Sequence, residues 1–275
     1  MMPELPYRVL ALDLDGTLTN SQKMITPFTR DVVTRAAHLG VKIVLASGRP
    51  VPGVVPVAKK LRLEDLDGYI LAANGAQLLS CRENRVLYEA TMPPSLLPRM
   101  KAMADAYDLT MICYDEHSLI TDRPDDPIVA YEAQNDSMSI RYARDLPAAV
   151  TWASPKIMLV GREDKVEACR RSAEAAFAGE LHVFLSDKCF LEFTAPGVSK
   201  ETGLMQLLHH LHLGPEALLA FGDGLNDIPM LQFAGMGVAM ENAWPEVRQA
   251  ADRITLSNDQ DGVAVALQEL FPTLR

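Results

Sequence analysis

Four short apolar runs, each ending abruptly in a polar, glycine-bearing turn, constrain this chain more than any other feature. Tyr7–Leu12 runs into Asp13-Leu14-Asp15-Gly16-Thr17, and Val41–Ala46 into Ser47-Gly48-Arg49. Tyr69–Ala73 runs into Asn74-Gly75, and Ala217–Phe221 into Gly222-Asp223-Gly224-Leu225-Asn226-Asp227. Runs of this length with no polar alternation read as strands buried on both faces, the signature of a parallel sheet. Between the first two lies a punctuated helix. Thr26 suits its N-cap, Pro27 its first turn and Gly40 its end, with Phe28, Val32, Val33, Ala36 and Leu39 as the apolar stripe. Strand alternating with helix predicts an α/β fold, a Rossmann-like parallel sheet covered by helices.

The pattern changes in the middle of the chain. Ala76–Leu79 with Val86–Ala90, Thr110–Tyr114 with Ser118–Thr121, and a pair near His182–Thr194 read as hairpins. Helices are expected at Pro93–Tyr107 and near Asp164–Ala178. Hairpins mixed with helices indicate an α+β module long enough to hold its own core. The parallel pattern returns with a helix capped by Ser199, a strand at Gly237–Met240 and a closing helix at Val263–Leu270. The expected organisation is a core of residues 1–81 plus 191–275, interrupted by an inserted module at 82–190.

In an open parallel sheet, ligands bind beyond the carboxyl ends of the strands. That rule gathers Asp13, Asp15, Thr17, Ser47, Asn74, Asp223, Asn226 and Asp227 at one edge, with Lys200 joining from a helix start. Clustered carboxylates attract a hard divalent cation, and Mg²⁺ is the common choice where phosphate is handled. A carboxylate relieved of charge repulsion is a competent nucleophile toward phosphorus, and a second carboxyl group can move the leaving-group proton. A lysine at a helix N-terminus adds an ammonium to backbone donors that favour an anion. Bland alternatives stand beside these readings. Asn74 suits a turn, Asp227 a helix cap and Arg49 a surface ion pair.

These motifs resemble the haloacid dehalogenase superfamily, and within it the Cof-like hydrolases. Asp13-Leu14-Asp15-Gly16-Thr17-Leu18 looks like the first motif, Ser47-Gly48-Arg49 the second, Val198-Ser199-Lys200 the third and Gly222–Asp227 the fourth. Leu256–Val263 is also similar to the Cof-like subgroup. The resemblance implies Asp13 as nucleophile and Asp15 as general acid/base. It implies phosphate contacts from Leu14, Ser47, Gly48, Lys200 and Asn226, and Mg²⁺ held by Asp13, Asp15 and Asp223. Thr17, Asn74 and Asp227 would stand in support. It also implies that the insertion is a C2-type, IIB-like cap. The expected function is hydrolysis of a small phosphorylated metabolite (sugar phosphate, flavin mononucleotide or pyridoxal phosphate) through an aspartyl-phosphate. The alternatives are a phosphotransferase or phosphomutase on the same fold and a non-catalytic metabolite-binding protein. Glu201 departs from the family pattern, which places glycine after the lysine.

The formal net charge of −10 disfavours nucleic acid and anionic lipid as partners. The first residues lack a basic stretch followed by an apolar one, and no run is long enough to cross a bilayer, so a cytoplasmic protein is expected. Cys81, Cys113, Cys169 and Cys189 are widely spread and are expected as reduced thiols. His209, His210 and His212 do not converge on one helix face and are expected at a solvated helix end, with Met230, Met236 and Met240 as core filler. Tyr114, His117 and Asp122 are expected as exposed hairpin residues, with substrate contact as the alternative if their hairpin faces the crevice.

Overall fold

The computed structural model describes residues 7–274. Residues 1–6, on which the absence of a leader was read, and Arg275 lie outside the described residues. In chain order the elements begin with β1 (Val9–Leu12), α1 (Pro27–His38), β2 (Lys42–Ala46), α2 (Val51–Lys60), β3 (Tyr69–Ala72), β4 (Gln77–Ser80) and β5 (Arg85–Glu89). There follow α3 (Leu97–Ala106), β6 (Thr110–Tyr114), β7 (Ser118–Thr121), α4 (Pro127–Asn135), β8 (Ser139–Tyr142), α5 (Leu146–Ala149), β9 (Ile157–Val160), α6 (Glu163–Ala176), β10 (His182–Asp187) and β11 (Phe190–Thr194). The chain closes with α7 (Lys200–Leu211), β12 (Leu218–Gly222), α8 (Ile228–Phe233), β13 (Met236–Ala239), α9 (Pro245–Ala250), β14 (Arg253–Ile254) and α10 (Gly262–Leu270).

Two compact units result. The first comprises Met1–Ser47, Val55–Tyr88 and Ser199–Arg275, and the second Gly48–Val54 and Glu89–Val198. The sequence boundaries at 81/82 and 190/191 differ from this division at both crossings. β5 joins the sheet of the first unit, and β11 belongs wholly to the sheet of the second. Both strands were read from short apolar runs that do not reveal which sheet recruits them.

The first unit holds a sheet of order β14-β13-β12-β1-β2-β3-β4-β5. The pairs from β14 to β3 are parallel, and β4 turns back antiparallel on β3. The α/β class and the parallel core therefore stand as the sequence predicts. Every residue of β1, β3 and β12 is buried, because helices cover both faces. Val9, Ala11, Val44 and Leu71 pack with Leu204, Leu207 and Leu208 of α7 and with Met230 of α8. The punctuation of α1 is as read. Thr26 Oγ1 accepts from the Thr29 amide, and Gly40 takes φ +99° just past the end.

The second unit is α+β, with sheet order β10-β11-β9-β6-β7-β8. Its pairs are antiparallel except β7 with β8. Met100 and Ala104 of α3 and Val166, Cys169 and Ala173 of α6 pack on one face with Met111, Leu159 and Phe193. Val129 and Ala133 of α4 pack with Ile112, Tyr114 and Met158 on the other. The expectation of an exposed Tyr114 is overturned. β6 is central, so the ring is 4% exposed and its hydroxyl donates to Met158 Sδ at 3.0 Å. Asp122 pairs with Lys101 at 2.9 Å, whereas His117 is exposed as expected. All four cysteines are free thiols. Met230 and Met240 are fully buried, and Met236 is half-buried. Among the described residues no helix is long and apolar enough to cross a membrane.

Candidate active site

The site forms on the first unit, where β1, β2, β3 and β12 end. Asp13 follows β1 directly, and its amide donates to the Phe221 carbonyl of β12 at 3.1 Å. The chain then coils tightly, with the Thr19 amide and Thr19 Oγ1 both donating to the Leu14 carbonyl at 2.9 and 2.8 Å. Gly16 sits at φ +87°, and a Cβ there would stand 2.2 Å from Asp223 Oδ2. Only glycine meets both the backbone angle and the space. The Leu14 side chain is buried, so only its backbone is available to a ligand.

Lys200 is the electrostatic hub. Its side chain is completely buried, and Nζ donates at 2.6 Å both to Asp13 Oδ1 and to Asp227 Oδ1. Ser199 places it there, capping α7 through a reciprocal box with Thr202. The approach of α7 explains Gly75, whose φ is +101° and whose Cβ would lie 2.0 Å from the Ser199 carbonyl oxygen. Asp227 accepts three hydrogen bonds, one of them that of Lys200 on Oδ1. Its Oδ2 accepts from the amides of Asp223 and Gly224, both at 2.9 Å. Thr17 Oγ1 donates to Asp223 Oδ1 at 2.7 Å.

Asp13, Asp223 and Asp227 each offer an oxygen within 4.8 Å of the others. Asp227 spends Oδ2 on two amides and one acceptor position of Oδ1 on Lys200, so its remaining capacity toward an ion lies on Oδ1. Asp13 is held through Oδ1 by Lys200, and Asp223 through Oδ1 by Thr17. Burial pushes the Asp13 carboxyl well above the usual carboxylate range, against the pull of Lys200 and with Asp227 and Asp223 adding to the rise. Burial likewise pushes Asp223 up to about 6, against the Thr17 hydrogen bond. Two crowded acids, with an oxygen of each within 4.8 Å of the other, fit a hard divalent cation with oxygen preference.

Hydrogen bonds join several of the other predicted residues at the strand ends. The Asn74 amide donates to the Ser47 carbonyl at 3.0 Å, and Asn226 Nδ2 donates to Asn74 Oδ1 at 2.8 Å. Asn74 adopts the left-handed conformation, φ +55°, which asparagine tolerates. This links the ends of β2, β3 and β12. Asp15 stands outside the acidic trio, with Oδ1 held by Lys23 at 2.5 Å. Gly48 and Arg49, which follow Ser47 in the chain, belong to the second unit.

Three residues escaped the sequence reading. Lys23 is one. The others are Asn242, whose Nδ2 donates to the Gly16 carbonyl at 2.8 Å, and Asn258, whose Nδ2 donates to the Thr19 carbonyl at 2.9 Å. Asn258 lies in the Leu256–Val263 stretch, so a signal for it existed. Asp261 of that stretch also accepts from Thr29 Oγ1 at 2.8 Å. The stretch thus clamps the segment that follows the first motif. Isolated polar residues such as Lys23 and Asn242 carry no pattern from which this role is readable.

A parallel α/β core with a carboxylate trio, a buried lysine and a tight Asp-x-Asp-Gly-Thr turn defines a phosphoryl-transfer class of protein. The chain belongs to the haloacid dehalogenase-like hydrolase family, whose model matches residues 10–267, and it is a phosphatase of that superfamily. A Bacillus subtilis protein named as a candidate phosphatase, YxeH, is 30% identical over 265 residues, 96% of this chain and 98% of the relative. The solved structure of a haloacid dehalogenase-like hydrolase from Bacteroides thetaiotaomicron is 38% identical, with TM-score 0.92 over 96% of this chain and all of that one. The subclass IIB sugar phosphatase BT4131 is 25% identical, with TM-score 0.80 over 95% of this chain and 98% of its own.

Proposed function

We propose that this phosphatase is Mg²⁺-dependent, hydrolyses a small phosphorylated metabolite through an aspartyl-phosphate on Asp13, and selects that metabolite with its second unit. The observation that carries the reading is the bridge from Lys200 to Asp13 and Asp227, beside Asp223. One ammonium fixes the nucleophile's orientation and leaves Asp13 Oδ2 to face a ligand. Asp13 and Asp223, with the Asp15 backbone carbonyl, would hold the ion, which supplies charge neutralisation and in-line alignment when bound.

An Asp13 oxygen attacks phosphorus, and the ester P–O bond breaks. The leaving oxygen takes its proton from Asp15. Water then attacks the aspartyl-phosphate, gives its proton to Asp15 and releases inorganic phosphate and free Asp13. Lys200, Ser47, Asn226 and the backbone of Leu14 and Gly48 hold the phosphoryl oxygens, while Thr17, Asn74 and Asp227 keep these groups in place. The core offers contacts that any phosphomonoester satisfies. Discrimination between leaving groups therefore falls to the second unit, here taken to act as the cap. Sugar phosphates are the first class to screen, because the IIB relative is named for that substrate.

The test is rapid quenching of the enzyme with a sugar phosphate and Mg²⁺, followed by peptide mass analysis. A phosphoryl adduct on Asp13, lost on alkaline hydroxylamine treatment and absent from Asp13→Asn, is expected. Full turnover by a folded Asp13→Asn protein would refute the mechanism.

A further inference from the structure

A second buried charge cluster lies in the other unit, and the chemistry above does not use it. Lys156 precedes β9 and its side chain is 2% exposed. Its Nζ donates to the Gly48 carbonyl at 3.0 Å, lies 3.4 Å from Glu192 Oε2 of β11, and stands 5.4 Å over the Tyr114 ring. Glu132 and Asp136, at α4 and its C-cap, are buried nearby. Burial opposes the ammonium's charge, but Glu192 foremost, with Glu132, outweighs it and holds the lysine protonated.

The segment after Ser47 is gripped at three successive points by this cluster. Lys156 holds the Gly48 carbonyl. Arg49 Nη1 donates to the Asn135 carbonyl at 2.7 Å. Gly53 packs so closely on Asp136 that a Cβ there would lie 2.6 Å from Oδ1. Burying an ammonium with its carboxylate partner is costly where packing alone is needed, and here the close hydrogen bond of that ammonium goes to a backbone carbonyl. What it accomplishes is directional. The peptide unit is planar and trans, so its C=O and N–H point in opposite directions. Fixing the Gly48 carbonyl on Lys156 therefore fixes the Arg49 N–H on the far side. The cation also polarises the amide, which strengthens that N–H as a donor.

We infer that Lys156, anchored by Glu192, is a positioning residue that aims and polarises the Gly48–Arg49 peptide so that the Arg49 amide receives a phosphoryl oxygen of the substrate. The inference rests on the reading that Ser47 and the backbone after it bind phosphate. Lys156 does not touch the substrate. It acts through one peptide plane, and its loss should be felt by every phosphorylated ligand, inorganic phosphate included.

The test uses the full chain with saturating Mg²⁺ and reads the competitive inhibition constant of inorganic phosphate alongside kcat and KM. Lys156→Met should weaken phosphate roughly 10–100-fold, the range of one charge-assisted hydrogen bond. Glu192→Gln should weaken it in the same direction by a smaller factor, and it decides the question if Lys156→Met does not fold. Leu159→Ala, a core truncation of the same unit, controls for instability and should leave the phosphate constant unchanged. Ser47→Ala separates the two levels of the argument. If Ser47→Ala weakens phosphate while Lys156→Met and Glu192→Gln leave it at the wild-type value, the positioning role is overturned. If Ser47→Ala itself has no effect, the underlying phosphate-loop reading fails, and this inference with it.

Discussion

Removing the Lys200 ammonium should destabilise the cation-free protein strongly at alkaline pH and weakly in mild acid. At an effective dielectric of about 20, a charge pair at 2.6 Å attracts by roughly 6 kcal/mol, so the two bonds of Lys200 give a gross attraction of about 13 kcal/mol. Desolvation of one ammonium and two carboxylates cancels most of that. Taking away only the ammonium leaves the acids behind. Ionised oxygens within 4.8 Å of one another repel by about 3 kcal/mol or more per pair at the same dielectric. The expected loss for Lys200→Met is therefore about 3–5 kcal/mol, the usual cost of breaking a buried pair from one side. The sign of the pH effect follows from Asp13 and Asp223, whose folded-state pKa values are already raised. Stability from such acids is complete below their unfolded pKa near 4 and is lost as pH rises through the folded one. Without Lys200 both values climb further, so the deficit should be small at pH 5 and full at pH 8. Urea midpoints at the two pH values, with chelator present, measure it directly. A Lys200→Met protein as stable as wild type at pH 8 would refute the claim that the lysine neutralises a carboxylate crowd. The same variant, if active at all, should be impaired by a similar factor on every phosphorylated substrate.

Three further outcomes are expected. Asp15→Asn should slow phosphorylation by roughly 10²–10⁴ for substrates with poor leaving groups and far less for p-nitrophenyl phosphate, whose leaving group needs little protonation; equal losses in single-turnover assays would remove Asp15 from the acid role. Asp136 is held up to about 8 by burial and by neighbouring Glu132, so it binds a proton in the folded state that the unfolded chain releases. Its contribution is complete below pH 4 and declines as pH rises to 8, by up to ~1.4 kcal/mol per pH unit; Asp136→Asn should flatten the wild-type fall in urea midpoint between pH 5 and 8. Gly75→Ala, which drives a methyl toward the Ser199 carbonyl at a φ that alanine resists, should cost about 2 kcal/mol or more and lower kcat by displacing Lys200, as steady-state kinetics on the folded fraction would show.

The parallel core was legible because its physics is local. Runs such as Val9–Leu12 and Leu218–Phe221 are apolar without alternation, and Thr26-Pro27 and Gly40 announce a helix at both ends. The strand-end motifs were legible for the same reason, since Gly16 and Gly75 mark places where backbone must nearly touch another segment. What escaped was set by distant partners. Tyr114 was read as an exposed hairpin residue because its burial depends on β9, 43 residues away in the chain, and the Ile157–Val160 run itself passed unread. Asn242 and Asn258 serve the first motif and its sequel through single hydrogen bonds across long stretches of sequence, whereas Lys23 reaches Asp15 from the following loop, which carries no pattern. The metal ligand set shows a limit of the opposite kind. Proximity groups Asp13, Asp223 and Asp227, but three hydrogen bonds already fall on Asp227, a load that its place in the sequence does not reveal.

The charge arrangement at the strand ends bears on the order in which ligands bind. Asp13, Asp15, Asp223 and Asp227 carry up to four negative charges, against Lys200 and the half-exposed Lys23. With every acid ionised the site is net −2, and a phosphate dianion meets repulsion there. Among buried groups such as Asp13, Asp227 and Lys200 that repulsion is weakly screened by salt. A divalent cation brings the sum to zero before phosphate arrives, whereas phosphate arriving first would raise it to −4. The cation-first order is therefore favoured, and because Asp223 sits near 6 without the ion, cation binding should release protons and weaken below that pH. Calorimetry should find inorganic phosphate binding at pH 7.5 only when Mg²⁺ is present, and Mg²⁺ affinity should fall steeply from pH 7 to 5. Asp223→Asn should weaken Mg²⁺ binding and make its fall with pH shallower, since Asp13 still binds a proton there. Phosphate binding of equal strength with and without Mg²⁺ would show that Lys200 and the backbone donors alone overcome the carboxylates, and the ordered scheme would be wrong.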